Sequence, residues 1–278
     1  MRILGTFAVA CLIVYGITAG GLALVQRRLM YPGAQGGPPT EAPAGTQAIA
    51  IVTADGETLH GLWRPPEPGA GVIVSFHGNG SLPAPFATRF TASPWRESGW
   101  GVLALAYRGY PGSTGSPSEE GLIRDGIAAY LAAVSRAPGA AILLHGHSLG
   151  AAIAVAVAER APHLGLYLEA PFDSMSHLVA LRYPHVPTGL ALLDTYHSDA
   201  RIAGGTAPVL IVQGDADPVV PAKLARRLAE AAGPRAAIDM IAGGDHVSIF
   251  GIRDAKAEAM FRPSSPRPRE ESPHAPAR

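Results

Sequence analysis

Six short, continuous apolar runs recur between residues 72 and 241, each bounded by glycine, proline or polar residues. Runs of this kind are typical of strands that are buried on both faces of a sheet. Segments of helical period lie between them, including residues 119–134 and 222–232. Strands that alternate with helices favour an α/β fold, a mostly parallel sheet flanked by helices. The six runs are Val72–Phe76, Val102–Tyr107, Ile142–His145, Leu166–Glu169, Val209–Gln213 and Ala237–Ile241.

Ahead of these runs, two segments alternate between apolar and polar residues, Ala48–Thr53 and Leu59–Arg64. The turn dipeptide Asp55-Gly56 separates them, so the pattern predicts two antiparallel strands. The first long helical segment is preceded by Ser116-Pro117-Ser118-Glu119. This order matches a capping box with proline at the first helical position.

The N-terminal segment differs from the rest of the chain, because Ile3–Val25 is uncharged and mostly apolar. A helix of this length spans a hydrocarbon core of about 30 Å. We therefore predict an N-terminal transmembrane helix at residues 1–28 and a single-pass membrane protein. A cleaved signal peptide and lipid attachment at Cys11 are weaker interpretations, because the cleavage site is poor and the apolar stretch before the cysteine is short. Arginines lie on both sides of the run, so the side of the membrane that carries the following domain stays open.

The remaining boundaries follow from composition. Residues 29–47 predict a linker rich in proline, glycine and alanine, residues 48–262 the folded domain, and residues 263–278 a disordered tail. The formal net charge is zero, so no nucleic-acid partner is indicated. The single cysteine excludes an intrachain disulfide. No cofactor or metal is expected, since we find no histidine–carboxylate cluster with ligand spacing. The oligomeric state stays open.

The strongest chemical signal is Gly146-His147-Ser148-Leu149-Gly150, which follows a predicted strand and precedes a predicted helix. In this context G-x-S-x-G marks a nucleophilic serine on a strained turn. The turn is so tight that the residues two before and two after the serine must be nearly free of side chain. Gly146 and Gly150 meet that demand, and we predict Ser148 as the nucleophile.

A serine hydroxyl needs a general base, and histidine is the usual one. Among ten histidines, His246 is the best placed, because it lies in the glycine-rich loop after the last predicted strand. We expect a packing or substrate-lining role for His147 and structural roles for His77 and His145. For His60 and the five other histidines we expect solvated surface positions.

The imidazole in turn needs a carboxylate that fixes its tautomer. Asp217 and Asp215 both follow the fifth apolar run. We favour Asp217, whose loop position leaves room to reach His246, and expect Asp215 to accept backbone N–H bonds within the loop. Glu169 and Asp173 are outside candidates for an acid at a different position.

Two N–H donors are needed to stabilise the oxyanion of an acyl-transfer intermediate. The first predicted donor is Leu149, directly after the nucleophile. The second is Asn79 in the loop His77-Gly78-Asn79-Gly80, with Gly80 as the near alternative. A simple tight turn is the competing interpretation of this loop.

These segments together resemble the α/β-hydrolase superfamily from about Arg28 to Phe250, including the chain order Ser148, Asp217, His246. More narrowly, the chain resembles the membrane-anchored serine hydrolases related to animal depalmitoylases and bacterial serine aminopeptidase-type hydrolases. The resemblance implies a serine esterase or thioesterase held at a membrane. The segments that carry the narrower resemblance are Arg28-Leu29-Met30-Tyr31-Pro32, His77-Gly78-Asn79-Gly80, Tyr107-Arg108-Gly109-Tyr110, residues 112–119 and residues 169–174.

Residues 174–206 lie where such folds insert a cap, and this short segment is rich in leucine and valine. An apolar cap favours acyl chains, so we expect an apolar or lipid-like ester or acyl thioester as substrate. Two alternatives stay open. One is a serine aminopeptidase-type peptidase, which would need carboxylates such as Asp173 or Asp194 to bind a free amino terminus. The other is a hydrolase-like fold that serves as an interaction module without turnover.

Overall fold

An eight-stranded sheet forms the centre of the protein, which we describe from a computed structural model over residues 15–16, 20–21, 25–184 and 192–263. The order across the sheet is β1-β2-β4-β3-β5-β6-β7-β8. Strand β2 is antiparallel to both of its neighbours, and all other pairs are parallel. The strands are β1 Gln47–Val52, β2 Thr58–Arg64, β3 Val72–Phe76, β4 Gly101–Leu105, β5 Ile142–His147, β6 Gly165–Glu169, β7 Val209–Gly214 and β8 Ala236–Ile241.

The six apolar runs all form strands, and the predicted hairpin is present as β1 and β2. Strands β3, β4, β6 and β7 are buried along their whole length, which is why their sequences carry no alternation. The hairpin does alternate on its outer strand, since β1 lies at the edge of the sheet. The predicted mostly parallel sheet of an α/β fold is therefore confirmed.

Helices cover both faces of this sheet. They are α1 Pro83–Phe90, α2 Glu119–Arg136, α3 Leu149–Ala158, α4 Met175–Arg182, α5 Ser198–Ile202, α6 Ala222–Ala232 and α7 Asp254–Phe261. Helix α3 is buried almost all round and packs against β5. Sequence analysis missed helix α1, although its buried residues Pro83, Phe86, Ala87 and Phe90 recur at helical spacing and proline lies in its first turn.

The capping box predicted for α2 was wrong, because the N-cap lies two residues later than Ser116. Ser118 is the N-cap, and its hydroxyl accepts a hydrogen bond from the Gly121 backbone N–H at 3.1 Å. Pro117 consequently precedes the cap. Glu119 does not complete a capping box, because its carboxylate accepts hydrogen bonds from the backbone N–H groups of Thr195 and Tyr196.

Most of the predicted anchor and all but the first residue of the predicted tail lie outside the described residues. Residues 25–30 are helical. Within the described ranges, no helix combines the length and the apolar character that crossing a bilayer requires. The anchor over residues 1–28 therefore stays a prediction. In the expected cap segment, α4 and α5 are described, whereas residues 185–191 lie outside the described part.

Candidate active site

Ser148 occupies the strained turn that its motif predicts. Its backbone has φ 53° and ψ −117°, between the end of β5 and the start of α3. A Cβ atom on Gly146 would lie 2.3 Å from the carbonyl oxygen of Gly150, and a Cβ on Gly150 would lie 2.0 Å from that of Phe76. Only glycine fits at either position, as the sequence predicted. The Ser148 N–H donates to the Glu169 carbonyl at 2.8 Å, which ties the turn to β6.

Asp217 and His246 meet at the carboxyl ends of β7 and β8. The Nδ1 atom of His246 lies 2.8 Å from Oδ2 of Asp217. The other carboxylate oxygen accepts hydrogen bonds from the backbone N–H groups of Val219 and Val220, at 2.7 and 2.9 Å. Burial by itself raises the pKa of Asp217, but the hydrogen bonds from His246 and the loop outweigh it and hold the pKa below its ordinary value. The carboxylate is therefore ionised and held in place.

Asp215, the rival acid, faces the neighbouring loop instead. Its Oδ1 accepts a hydrogen bond from the Gly243 N–H at 2.7 Å. Asp215 thus accepts a backbone N–H bond as predicted, but from the loop that carries His246 and not from within its own loop.

Ser148 and His246 line the same cavity, which has a volume of about 290 Å³. Among hydrogen bonds within the described residues, none joins the Ser148 hydroxyl to His246. Catalytic hydrogen bonds often tighten only when substrate is bound. The cavity is lined by Gly78, Asn79, Gly80, Ser81, Pro85, Phe86, His147, Ser148, His246, Val247 and Phe250.

The loop of residues 77–80 lies directly against the nucleophile. A Cβ atom on Gly78 would be 3.4 Å from Cβ of Ser148 and 2.8 Å from Nδ1 of His147. In the described part of the chain, the backbone N–H groups of Asn79 and Leu149 have no acceptor. Burial raises the pKa of Tyr110 to about 12, and the Gly80 backbone partly offsets this effect. Asn79 and Leu149 stay the predicted donors to an oxyanion.

The Asn79 side chain is itself fixed at both ends. Its Nδ2 donates to the Met30 carbonyl, and its Oδ1 accepts from the Tyr110 hydroxyl at 3.1 Å. The sequence pointed to Asn79 but not to these partners.

His147 lines the cavity, in agreement with the sequence-based expectation, and also contacts the candidate base. Its Nε2 lies 3.0 Å from the His246 carbonyl oxygen, and the two rings are 5.0 Å apart. Burial lowers the pKa of His147 to about 4, so the ring is neutral at physiological pH and donates from Nε2. Sequence reasoning missed this contact, because nothing local shows that a loop 99 residues further along the chain returns to the strained turn at Ser148.

The outside candidates for the acid have other partners. Glu169 is fully buried and bound to Arg89 and to Nε2 of His145, at 2.6 and 3.0 Å. His145 is therefore structural, as predicted. The expectation of a surface position for His60 was wrong, since strand β2 buries it against its neighbours.

Asp173, His177 and Asp199 form a histidine–carboxylate group that was not recognised from the sequence. Their ligand atoms lie within 4.8 Å of one another. Nδ1 of His177 is already 2.6 Å from Oδ2 of Asp173, and the Arg227 guanidinium lies 3.7 Å from the same oxygen. A nearby cation and an internal hydrogen bond both compete with a bound metal ion. None of the three residues lines the cavity.

Comparison with known proteins identifies the family of this chain. A family model described as an alpha/beta hydrolase domain matches residues 73–256. The uncharacterised protein Rv2307c of Mycobacterium tuberculosis is 39% identical over 212 residues, which are 74% of this chain and 75% of that protein. The chain belongs to the α/β-hydrolase family.

Two further similarities are more distant. The lysophosphatidylserine lipase ABHD12 of Xenopus tropicalis is 28% identical over 185 residues, 59% of this chain but only 47% of that protein. The structure of the Pyrococcus furiosus esterase Pf2001 aligns with a TM-score of 0.59 at 15% identity, covering 81% of this chain and 95% of that one. At that identity the structural likeness supports the fold alone.

Proposed function

We propose that this chain is a serine hydrolase that cleaves carboxylic esters or acyl thioesters through an acyl-enzyme intermediate. One observation carries the proposal. Ser148, on a turn that only glycine neighbours permit, shares a cavity with His246, and the far side of the His246 ring is held by the ionised Asp217 at 2.8 Å. This is the arrangement that activates a serine hydroxyl.

Each residue then has a defined role. Nε2 of His246 removes the proton from the Ser148 hydroxyl as its oxygen attacks the acyl carbon. Asp217 accepts the Nδ1 hydrogen bond and stabilises the imidazolium that forms. The N–H groups of Leu149 and Asn79 donate to the oxyanion. His246 gives its proton to the leaving alcohol or thiol, and water completes the cycle by the same steps.

The cavity wall supports an uncharged acyl group as substrate. Its larger apolar members are Pro85, Phe86, Val247 and Phe250, and no carboxylate lines it within the described residues. A peptidase that binds a free amino terminus needs such a carboxylate. Asp173 is bound to His177, and Asp194 is bound to Arg27 and Tyr31, so both are otherwise engaged. We therefore favour ester or thioester hydrolysis over aminopeptidase activity.

The described cap residues do not line the cavity. Selectivity for an acyl chain would then come chiefly from the aromatic pair Phe86 and Phe250, whose rings meet edge to face with centroids 4.9 Å apart. A lipase among the relatives, acting as its name states on lysophosphatidylserine, also favours a lipid-like ester. We retain the predicted anchor at residues 1–28 as part of this proposal, since it would hold the cavity near lipid.

Fluorophosphonate labelling of the full chain in detergent tests the proposal. We expect labelling of the wild type, loss of labelling in Ser148→Ala, and retained labelling in Ser81→Ala. Ser81 is the matched control because it lines the same cavity. A folded wild type that does not label would overturn the proposal and favour an interaction module.

An acyl-chain series tests the substrate class. Across p-nitrophenyl esters of increasing chain length, we expect kcat/KM to rise beyond the acetyl ester. A flat series, or faster hydrolysis of aminoacyl-β-naphthylamides, would contradict an apolar acyl specificity.

A further inference from the structure

We propose that residues 26–33, here called the docking segment, position the loop of residues 77–80 for binding of the oxyanion. This loop is called the oxyanion loop below. This positioning role is more than that of a tether between an anchor and a domain. The inference rests on the proposed function. The docking segment comprises residues 26–28 at the end of the predicted anchor and residues 29–33 at the start of the predicted linker.

The first contact is with the Asn79 side chain. The Met30 carbonyl accepts a hydrogen bond from Nδ2 of Asn79, while the Tyr110 hydroxyl donates to Oδ1 at 3.1 Å. The amide is thus bound at both ends, one of them by the docking segment. Because the side chain is held, the rotation of the Asn79 backbone is restricted, and with it the direction of its N–H.

The second contact is the close packing of Gly33 against Tyr110 and Gly80. A Cβ atom on Gly33 would lie 2.4 Å from the Tyr110 ring and 3.1 Å from Cα of Gly80. The docking segment therefore lies directly against both the loop and the tyrosine that binds it.

The third contact fixes the docking segment to the expected cap. Arg27 donates to both oxygens of Asp194, at 3.0 and 3.1 Å. The Tyr31 hydroxyl donates to the same carboxylate at 2.9 Å and lies 2.7 Å from the Tyr196 hydroxyl. Tyr31 and Asp194 are both only 2% exposed.

These contacts distinguish the docking segment from a flexible linker. A flexible linker can move at little cost, whereas movement of the docking segment would leave the buried Tyr31 hydroxyl and Asp194 carboxylate without these partners. The docking segment therefore contacts both the cap and the oxyanion loop. A displacement of one end is expected to misalign the Asn79 N–H, and misplacement by about 1 Å can reduce a rate about a hundredfold.

Two variants of the full chain in detergent test this inference. Gly33→Ala pushes the docking segment away from Tyr110 and Gly80, and Tyr31→Phe removes the hydroxyl through which the segment contacts Asp194 and Tyr196. For both, we expect kcat to fall about ten- to a hundredfold with KM within twofold of wild type. Inhibition by a trifluoromethyl ketone, which forms a tetrahedral adduct, should weaken by the same factor, because an oxyanion donor acts on that state and not on bound ester.

The control is Gly204→Ala, whose added Cβ would meet nothing within 4 Å and which should leave kcat, KM and inhibition unchanged. If Gly33→Ala unfolds, Tyr31→Phe still tests the docking segment, since it removes only a hydroxyl and keeps the ring packing. Folded variants with wild-type kcat, or with losses that appear in KM instead, would overturn the inference. Failure of the proposed function itself would look different, because the wild type would then lack turnover dependent on Ser148.

Discussion

Arg89 of helix α1 donates hydrogen bonds to both carboxylate oxygens of Glu169 at the end of β6, with distances of 2.6 and 3.1 Å. The same guanidinium contacts Asp254 on α7 and lies 4.3 Å from the centroid of the Phe250 ring. Glu169 also accepts a hydrogen bond from the Gly251 N–H at 2.9 Å. Burial raises the pKa of Glu169, but the charge of Arg89 outweighs this and holds it well below its ordinary value. The pair thus ties the histidine-bearing loop and one cavity wall to the sheet.

We predict that Glu169→Gln lowers the free energy of unfolding by about 3 kcal/mol, because it leaves a buried guanidinium partly uncompensated. Denaturant unfolding of Glu169→Gln, Arg89→Gln and the double variant should give a coupling energy of at least about 1 kcal/mol. The exposed pair Arg124 and Glu120 is the control, with an expected coupling below about 1 kcal/mol. Equal coupling in the two pairs would contradict the assigned role of burial.

A second prediction separates the two candidate acids. Asp217→Asn should reduce kcat by about a thousandfold or more, because an amide no longer holds the His246 tautomer. Asp215→Asn should stay within about fivefold of wild type, since an amide oxygen can still accept from the Gly243 N–H. Steady-state kinetics with one ester decides between them. Equal losses would mean that the loop, rather than the Asp217 carboxylate, is what activity requires.

A third prediction concerns the nucleophile turn. Gly150→Ala should abolish fluorophosphonate labelling and lower stability by about 1–3 kcal/mol or more, because its Cβ would overlap the Phe76 carbonyl. Gly204→Ala adds the same methyl group in open space and should label as the wild type does. Rapid labelling of Gly150→Ala would show that the turn tolerates a side chain.

A fourth prediction is a loss of stability in mild acid. Burial lowers the pKa of His77 to about 4, whereas an unfolded histidine titrates near 6.5. The unfolded state therefore takes up the proton first, so stability is lost as pH falls from about 6.5 towards 4. His77 alone should contribute a loss of about 2 kcal/mol between pH 7 and pH 5.

Denaturant unfolding of His77→Phe at several pH values measures this contribution. We expect a flatter dependence of stability on pH than in the wild type. The control is Phe86→Leu, which removes a neighbouring ring that does not titrate and should lower stability equally at every pH. If the free energy of unfolding of His77→Phe depends on pH as steeply as that of the wild type, the His77 imidazole is not the cause of the loss in acid.

Parts of the candidate site could be predicted where the residues that determine them are close together in the sequence. The strained turn at Ser148 was predictable because the steric demand on Gly146 and Gly150 arises within five residues. Asp217 and His246 were predictable as candidates because each follows a buried strand, and parallel strands end at one edge of a sheet. Helix α1 was missed although its apolar residues recur at helical spacing. The burial of His60 was missed because packing decides it and no short pattern records it.

The prediction of a linker at residues 29–47 missed the docking segment for a related reason. Proline and glycine in residues 29–47 indicate a linker by composition, yet Tyr31 is buried through contacts with Asp194 and Tyr196. Those partners lie more than 160 residues away along the chain. Composition reflects the conformational preference of an isolated segment and contains no information about such distant partners.

The sequence by itself determined the alternation of strands and helices, the strained serine turn and the order of the candidate catalytic residues, because each depends on local sterics or on hydrophobic period. Only the tertiary structure decided that Asp217 rather than Glu169 binds His246 and that Met30 holds Asn79. These choices depend on which side chains meet across the sheet edge. Their energies come from burial and hydrogen bonding between distant parts of the chain, which arise only when the chain is folded.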